Sequence, residues 1–186
     1  MAHLDKPCMI ILSGPGASGK TTVAMRLWET LPGQPAYICL DNLKDFQRPP
    51  NATDAHLDLA SMNARSVAGN FLEAGHNVVL AKAFGRYEFV APFVELGESF
   101  GVRVVYVKLT APLELLIERN RRRREYSERE LAAQMRYRRY TASDDRIREL
   151  YQFCLAHRHP QGVEYDTSLL SEDEVAAIVM QTVGAR

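Results

Sequence analysis

Short unbroken apolar runs alternate along the chain with longer stretches in which apolar positions recur every three or four residues. The runs are CMIILS at 8–13, AYICL at 36–40, NVVLA at 77–81, VRVVYVKL at 102–109 and VEY at 163–165. Runs without polar alternation predict strands buried on both faces. The periodic stretches predict helices over 19–31, 53–74, 87–100, 111–120, 127 to about 139, 143 to about 157, and from 171 to the end. Boundary residues agree with this division. Pro32-Gly33 stops the first helix, Thr53 caps the second and Gly75 ends it, and Pro112 sits at a first turn. Ser127 with Glu130, and Ser171 with Glu174, have the spacing of capping boxes. Pro92 must sit early in its helix, and the polar, proline-bearing stretch 41–51 reads as a loop. Strands alternating with helices predict an α/β fold, a parallel sheet covered on both faces. There are no internal repeats, so one domain over 1–186 is expected.

The strongest chemical signal joins the first strand to the first helix. Gly14-Pro15-Gly16-Ala17-Ser18-Gly19-Lys20-Thr21 fits GxxxxGK[ST], a phosphate-binding loop. Its glycines let main-chain N–H groups close on a phosphate, and the following helix presents the positive end of its dipole. On this reading Gly14, Gly16, Ala17, Ser18 and Gly19 form the cradle, and Lys20 brings a full charge to the β- and γ-phosphates. Thr21 offers a hydroxyl to Mg²⁺ and Thr22 follows into the helix. A nucleoside triphosphate with Mg²⁺ is the implied ligand.

Other residues narrow the class. The Asn-Lys-x-Asp string of GTP switches is absent; Asn42-Leu43-Lys44-Asp45 has the wrong order and place. The third strand ends in Lys82, where motor and transporter ATPases carry an acid for Mg²⁺. Asp41 stands at the carboxyl end of the second strand, the edge where ligands of open parallel sheets gather. A carboxylate there serves to accept a proton from an acceptor hydroxyl or to hold Mg²⁺ through water.

The loop SGPGASGKTT, Asp41 after the second strand, LLIERNRRRR at 115–124 and the late GVEYDTS together resemble the small P-loop kinases of nucleoside-monophosphate-kinase type. The layout is most similar to chloramphenicol phosphotransferase, the zeta toxins and the kinase domain of phage polynucleotide kinase. The resemblance implies a P-loop fold with five parallel strands in the order 2-3-1-4-5 and a lid over roughly 119–140. It implies ATP and Mg²⁺ as cofactors and Asp41 as the base for an acceptor hydroxyl. An arginine on the lid helix reaches the phosphates in such kinases, and Arg119 and Arg123, one turn apart on one face, match that position. The loop Asp166-Thr167-Ser168 then lies against the adenine.

The acceptor is less defined. Its pocket is expected beside helix 53–74, whose polar members are Asp54, His56, Asn63 and Arg65, with Arg65 the candidate contact. Lys82 is the candidate for an acidic or phosphorylated acceptor. Arginines at 119, 121–124, 129, 136, 138 and 139 suit a lid that neutralises phosphoryl charge. Arg136-Tyr137-Arg138-Arg139-Tyr140 interleaves rings with arginines, which keeps single-stranded nucleic acid as an alternative acceptor. A nucleotide-driven switch without transfer is the other alternative.

Composition removes little else. Of 186 residues 46% are hydrophobic, and 23 Lys and Arg balance 23 Asp and Glu, so global charge argues for neither nucleic acid nor membrane. No apolar run approaches the ~20 residues that span a bilayer. The opening MAHLDKPCMIILSG lacks a basic n-region and reads as a strand, not a signal peptide. Cys8, Cys39 and Cys154 are scattered without CxxC, as expected for reduced thiols in a cytoplasmic protein, and His157 and His159 read as loop residues.

Overall fold

The computed structural model describes residues 6–44, 54–84, 86–131, 142–156 and 162–184, with the side chains of 44, 54–57 and 126–131 excepted. Five strands, β1 (Cys8–Ser13), β2 (Ala36–Cys39), β3 (Val78–Ala81), β4 (Arg103–Thr110) and β5 (Val163–Asp166), form one sheet. All pairings are parallel and the order is β2-β3-β1-β4-β5. β1 is central and every one of its residues is buried. Alternation sends Cys8, Ile10 and Leu12 to one face and Met9 and Ile11 to the other.

Helices cover both faces. α1 (Lys20–Thr30) and α7 (Glu172–Val183) bury Val23, Leu27, Val175 and Val179 against the Ile10 side. α3 (Asp54–Glu73) and α4 (Ala91–Ser99) bury Ala64, Ala68 and Phe93 against the Met9 side. α5 (Leu113–Leu131) and α6 (Asp144–Leu155) form a third cluster, in which Leu116, Ile117 and Ile147 surround Ala17 of the glycine turn. No helix among the described residues is long and apolar enough to cross a membrane.

Three boundaries differ from the sequence reading. Residues 41–44 are not loop: α2 (Leu40–Lys44) begins as β2 ends, turning Leu40 and Leu43 onto one apolar cluster and leaving Asp41 in its first turn. An acid there is favoured by the helix dipole. Ser127 opens no helix, because α5 runs unbroken through it. The arginines of 119–124 are good helix formers, no Gly or Pro intervenes, and a capping box acts only where its serine is itself extended, as Ser171 is. The stretch 87–100 divides into a 3₁₀ turn, Tyr87–Phe89, and α4, whose first turn holds Pro92. At Ser171 the capping box is formed in both directions.

Candidate phosphate-binding site

The glycine turn leaves β1 at the carboxyl edge of the sheet. Gly14 has φ +137, and a Cβ there would stand 2.1 Å from the carbonyl oxygen of Leu109 on neighbouring β4. No side chain fits, which is why the loop can start flush against the sheet. Gly19 is left-handed, φ 90, and caps α1 with no side-chain bond and no acid in the first turn. The first N–H groups of α1 therefore have no side-chain acceptor, the condition in which a helix start takes an anion. Ser18 Oγ is buried and has no hydrogen-bond partner among the described residues. Ala17 adopts φ 63, an uncommon conformation for a residue with a Cβ. Thr21 and Thr22 are exposed in the first turn of α1.

Lys20 folds back over the loop. Its ammonium donates to the carbonyls of Gly14 at 2.9 Å and Pro15 at 2.7 Å. Burial pulls it below the ordinary lysine range, to about 8. Cys154 and Asp41 favour its charged form and Arg123 opposes it. Asp41, from the end of β2, and Arg123, from α5, are thus both within electrostatic reach of the same ammonium. Arg119 is differently engaged. Its fork donates to Thr167 Oγ1 at 2.8 Å and to the Thr167 carbonyl at 2.7 Å. Thr167, after β5, in turn borders Gly19. Arg123 thus acts on the Lys20 ammonium, while Arg119 is bonded to the segment that follows β5.

Lys82 follows β3 directly, and its main-chain N–H donates to the Leu12 carbonyl at 3.1 Å. Its ammonium lies 5.6 Å from the centre of the Phe84 ring. Arg65 is half-buried on α3. Asn63 is exposed. The stretch Arg136–Tyr140, His157, His159 and Thr53 lie outside the described residues, as do the side chains of Asp54, His56 and Arg129.

Sequence reasoning missed how α6 covers the loop. A Cβ on Gly16 would meet Ile147 Cδ1 at 2.6 Å. Both ends of α6 are tied down. Asp144 accepts from Arg121 at 2.9 and 2.7 Å and from Arg124 at 2.7 Å, and Arg121 above all holds its carboxyl below the usual aspartate range. At the other end Lys108, only 6% exposed, donates to the Cys154 carbonyl at 2.8 Å and lies 3.5 Å from Glu164. The signal for Lys108 was present in the sequence: a lysine inside the apolar run VRVVYVKL needs a buried partner. For Ile147 there was none.

These residues fit a magnesium nucleotide. The uncapped start of α1 and the Ser18 hydroxyl suit phosphate oxygens, and Thr21 and Asp41 are the oxygen donors that would face the ion. Among the described residues no group of three or more His, Cys, Asp or Glu side chains is gathered that would bind a metal by itself. Magnesium bound mainly by phosphate and water needs none.

The fold is that of P-loop kinases. It is similar to Mycobacterium tuberculosis APS kinase CysC, solved with AMPPNP and APS, with a TM-score of 0.66 at 19% identity over 97% of this chain and 99% of that one. Deinococcus radiodurans tunicamycin resistance protein gives a TM-score of 0.66 at 15% identity, covering 97% and 98%. A gluconokinase from Sinorhizobium meliloti 1021 gives 0.60 at 17% identity, covering 96% of each chain. Identities this low carry the fold and no more. No curated protein matches the sequence. Residues 9–147, from β1 to the first turn of the covering helix α6, match the model of the family AAA_33, described as an AAA domain, and the chain belongs to that family.

Proposed function

We propose that the chain is an ATP-dependent phosphotransferase that moves the γ-phosphate to a hydroxyl of a small-molecule or nucleotide-like acceptor. One observation carries the reading: Lys20 feels both a carboxylate, Asp41, and a guanidinium, Arg123, at the phosphate loop. In a transfer site that carboxylate takes the proton of the acceptor hydroxyl; in a nucleotide-driven switch it would serve only to hold Mg²⁺ through water. The APS kinase and gluconokinase folds support the same class.

In this mechanism Lys20 and the amides of Gly16–Thr21 fix the β- and γ-phosphates. Asp41 takes the proton of the acceptor hydroxyl as its oxygen bonds to the γ-phosphorus. The bond from that phosphorus to the β–γ bridging oxygen breaks, and its electron pair leaves with ADP. Arg123 meets the charge spread over the transferring oxygens. Thr21, with Asp41 through water, would hold Mg²⁺, which supplies charge neutralisation between the β- and γ-phosphates.

The test is ATP consumption across panels of nucleosides, nucleotides, sugars, antibiotics and oligonucleotides. Asp41→Asn should lower turnover by about 10²–10⁴-fold with ATP affinity kept within about twofold. Equal turnover by the variant would remove Asp41 from the chemistry. Tight ATP binding with no transfer to any acceptor would favour the switch.

A further inference from the structure

Arg65 is unexplained by the phosphate site. Its Nε is buried and has no acceptor among the described residues. A guanidinium N–H withdrawn from water without an acceptor is destabilising, so native proteins rarely keep one without use. Its position is informative. Gly69, one turn later on α3, faces Leu96 and Phe100, at 3.7 and 3.9 Å from where its Cβ would stand. Arg65 therefore looks toward the α4 side of the sheet. α3 returns antiparallel to β3, and the eight residues from Glu73 back to Arg65 rise about 12 Å. The climb from Val78 to Lys82 is about 13 Å. Counted from the turn that joins Glu73 to Val78, these rises bring Arg65 to roughly the height of the carboxyl end of β3.

Lys82 stands at that end. It packs its ammonium over Phe84, a member of the same apolar cluster as Ala64, which immediately precedes Arg65. The register pairs Ala81 with Cys39 on one side and Leu12 on the other. Lys82 thus sits between the strand that leads to Asp41 and the strand that leads to the phosphate loop. One flank of the crevice carries two cations beside the proposed base.

We infer that the acceptor bears an anionic group (carboxylate, sulfate or phosphate) near its reacting hydroxyl, held by Arg65 and Lys82. The inference deepens the phosphotransfer reading and rests on it for the word acceptor. A neutral acceptor leaves the Arg65 N–H unsatisfied; an anion meets it with a charge-assisted bond.

The experiment separates the two claims. Thermal unfolding of the Mg²⁺·ADP-loaded protein is followed while sodium sulfate is titrated against sodium chloride at matched ionic strength. ADP already fills the phosphate loop. Sulfate should raise the midpoint of the wild type, and Arg65→Gln and Lys82→Met should each weaken its apparent affinity roughly tenfold. Lys82 is half-exposed, so its variant keeps the test available if Arg65→Gln folds poorly. No sulfate effect, or the same effect in wild type and Lys82→Met, overturns the inference. In a second arm, hydroxy acids, sulfate esters and phosphate monoesters compete with their uncharged parent alcohols as acceptors. Preference for one anionic class identifies the group. Transfer to the neutral parents at equal kcat/KM overturns the inference and leaves the kinase reading standing. Arg65- and Lys82-dependent sulfate binding with no transfer to any acceptor keeps the anion site and removes the kinase reading.

Discussion

Substituting Gly16 by alanine tests whether α6 covers the phosphate loop. The new Cβ would stand 2.6 Å from Ile147 Cδ1, about 1 Å inside ordinary contact. Ile147 is 1% exposed and packed among Leu116, Ile117 and Ala142, so it cannot swing away freely. Overpacking of this kind costs about 1–3 kcal/mol. Restricting the unfolded chain by removing a glycine returns roughly 0.4–1 kcal/mol, since Gly16 has no positive φ to forbid alanine. Gly16→Ala should therefore lose about 1–2 kcal/mol. Ile147→Val deletes the Cδ1 that clashes and costs about 0.5–1.5 kcal/mol alone. Combined, the alanine no longer meets an obstacle, and the pair should be less destabilised than the sum by about 1 kcal/mol or more. Urea unfolding of the four proteins of the cycle, at constant m-value, gives the coupling. Additivity within about 0.3 kcal/mol would refute the packing of α6 on the loop.

Four further outcomes follow from the charges and orphans of the site. Lys20, at about 8, is protonated at neutral pH and deprotonates as pH rises past that value. ATP affinity measured calorimetrically should fall toward tenfold per pH unit above about 8 in the wild type and stay flat in Lys20→Arg; a flat wild type to about pH 9.5 would contradict this. Stability of the ligand-free protein has the opposite sign, because the unfolded lysine binds its proton more tightly: relative to Lys20→Met it should rise between about 8 and 10.5. Ser18→Ala removes a buried hydroxyl with no partner among the described residues, so it should leave unfolding unchanged or raise it by up to about 1 kcal/mol while ATP binding weakens several-fold. Loss in both measurements would place a bond on Ser18 in the ligand-free state. Asp144, held low by Arg121 and Arg124, stabilises α6 above the ordinary aspartate value of 3.8, and this is lost as pH falls through its lower folded value. The melting difference between wild type and Asp144→Asn should be present at pH 7 and shrink as pH falls below 3.8.

What the sequence disclosed was local. Strand β1, the glycine turn and the start of α1 are contiguous, and each needs particular residue types, so the unit stands in the chain as a motif. Asp41 was legible because sheet topology brings the end of any second strand to the same edge. Long-range pairings were not. Arg119 and Thr167 are 48 residues apart, and nothing in either segment names the other. Arginines spaced one turn apart share a helix face, yet Arg119 bonds Thr167 after β5 while Arg123 acts on Lys20. Ser127 misled because a capping pattern inside a run of strong helix formers carries no boundary. The continuity of α5 is decided by what lies before Ser127, not by the box itself.

The bare start of α1 has a practical consequence for every measurement on the ligand-free protein. Phosphate and sulfate buffers are ligands for such a helix end, and they stabilise whatever they bind by RT ln(1 + [L]/Kd). At a hundredfold excess over Kd this reaches about 2.7 kcal/mol, more than the separate effects expected for Gly16, Ile147 or Ser18. Melting points taken in phosphate would describe a partly liganded species, with Lys20 drawn toward the anion and away from Gly14 and Pro15. Zwitterionic or amine buffers with chloride give the reference state in which those two carbonyls keep the lysine.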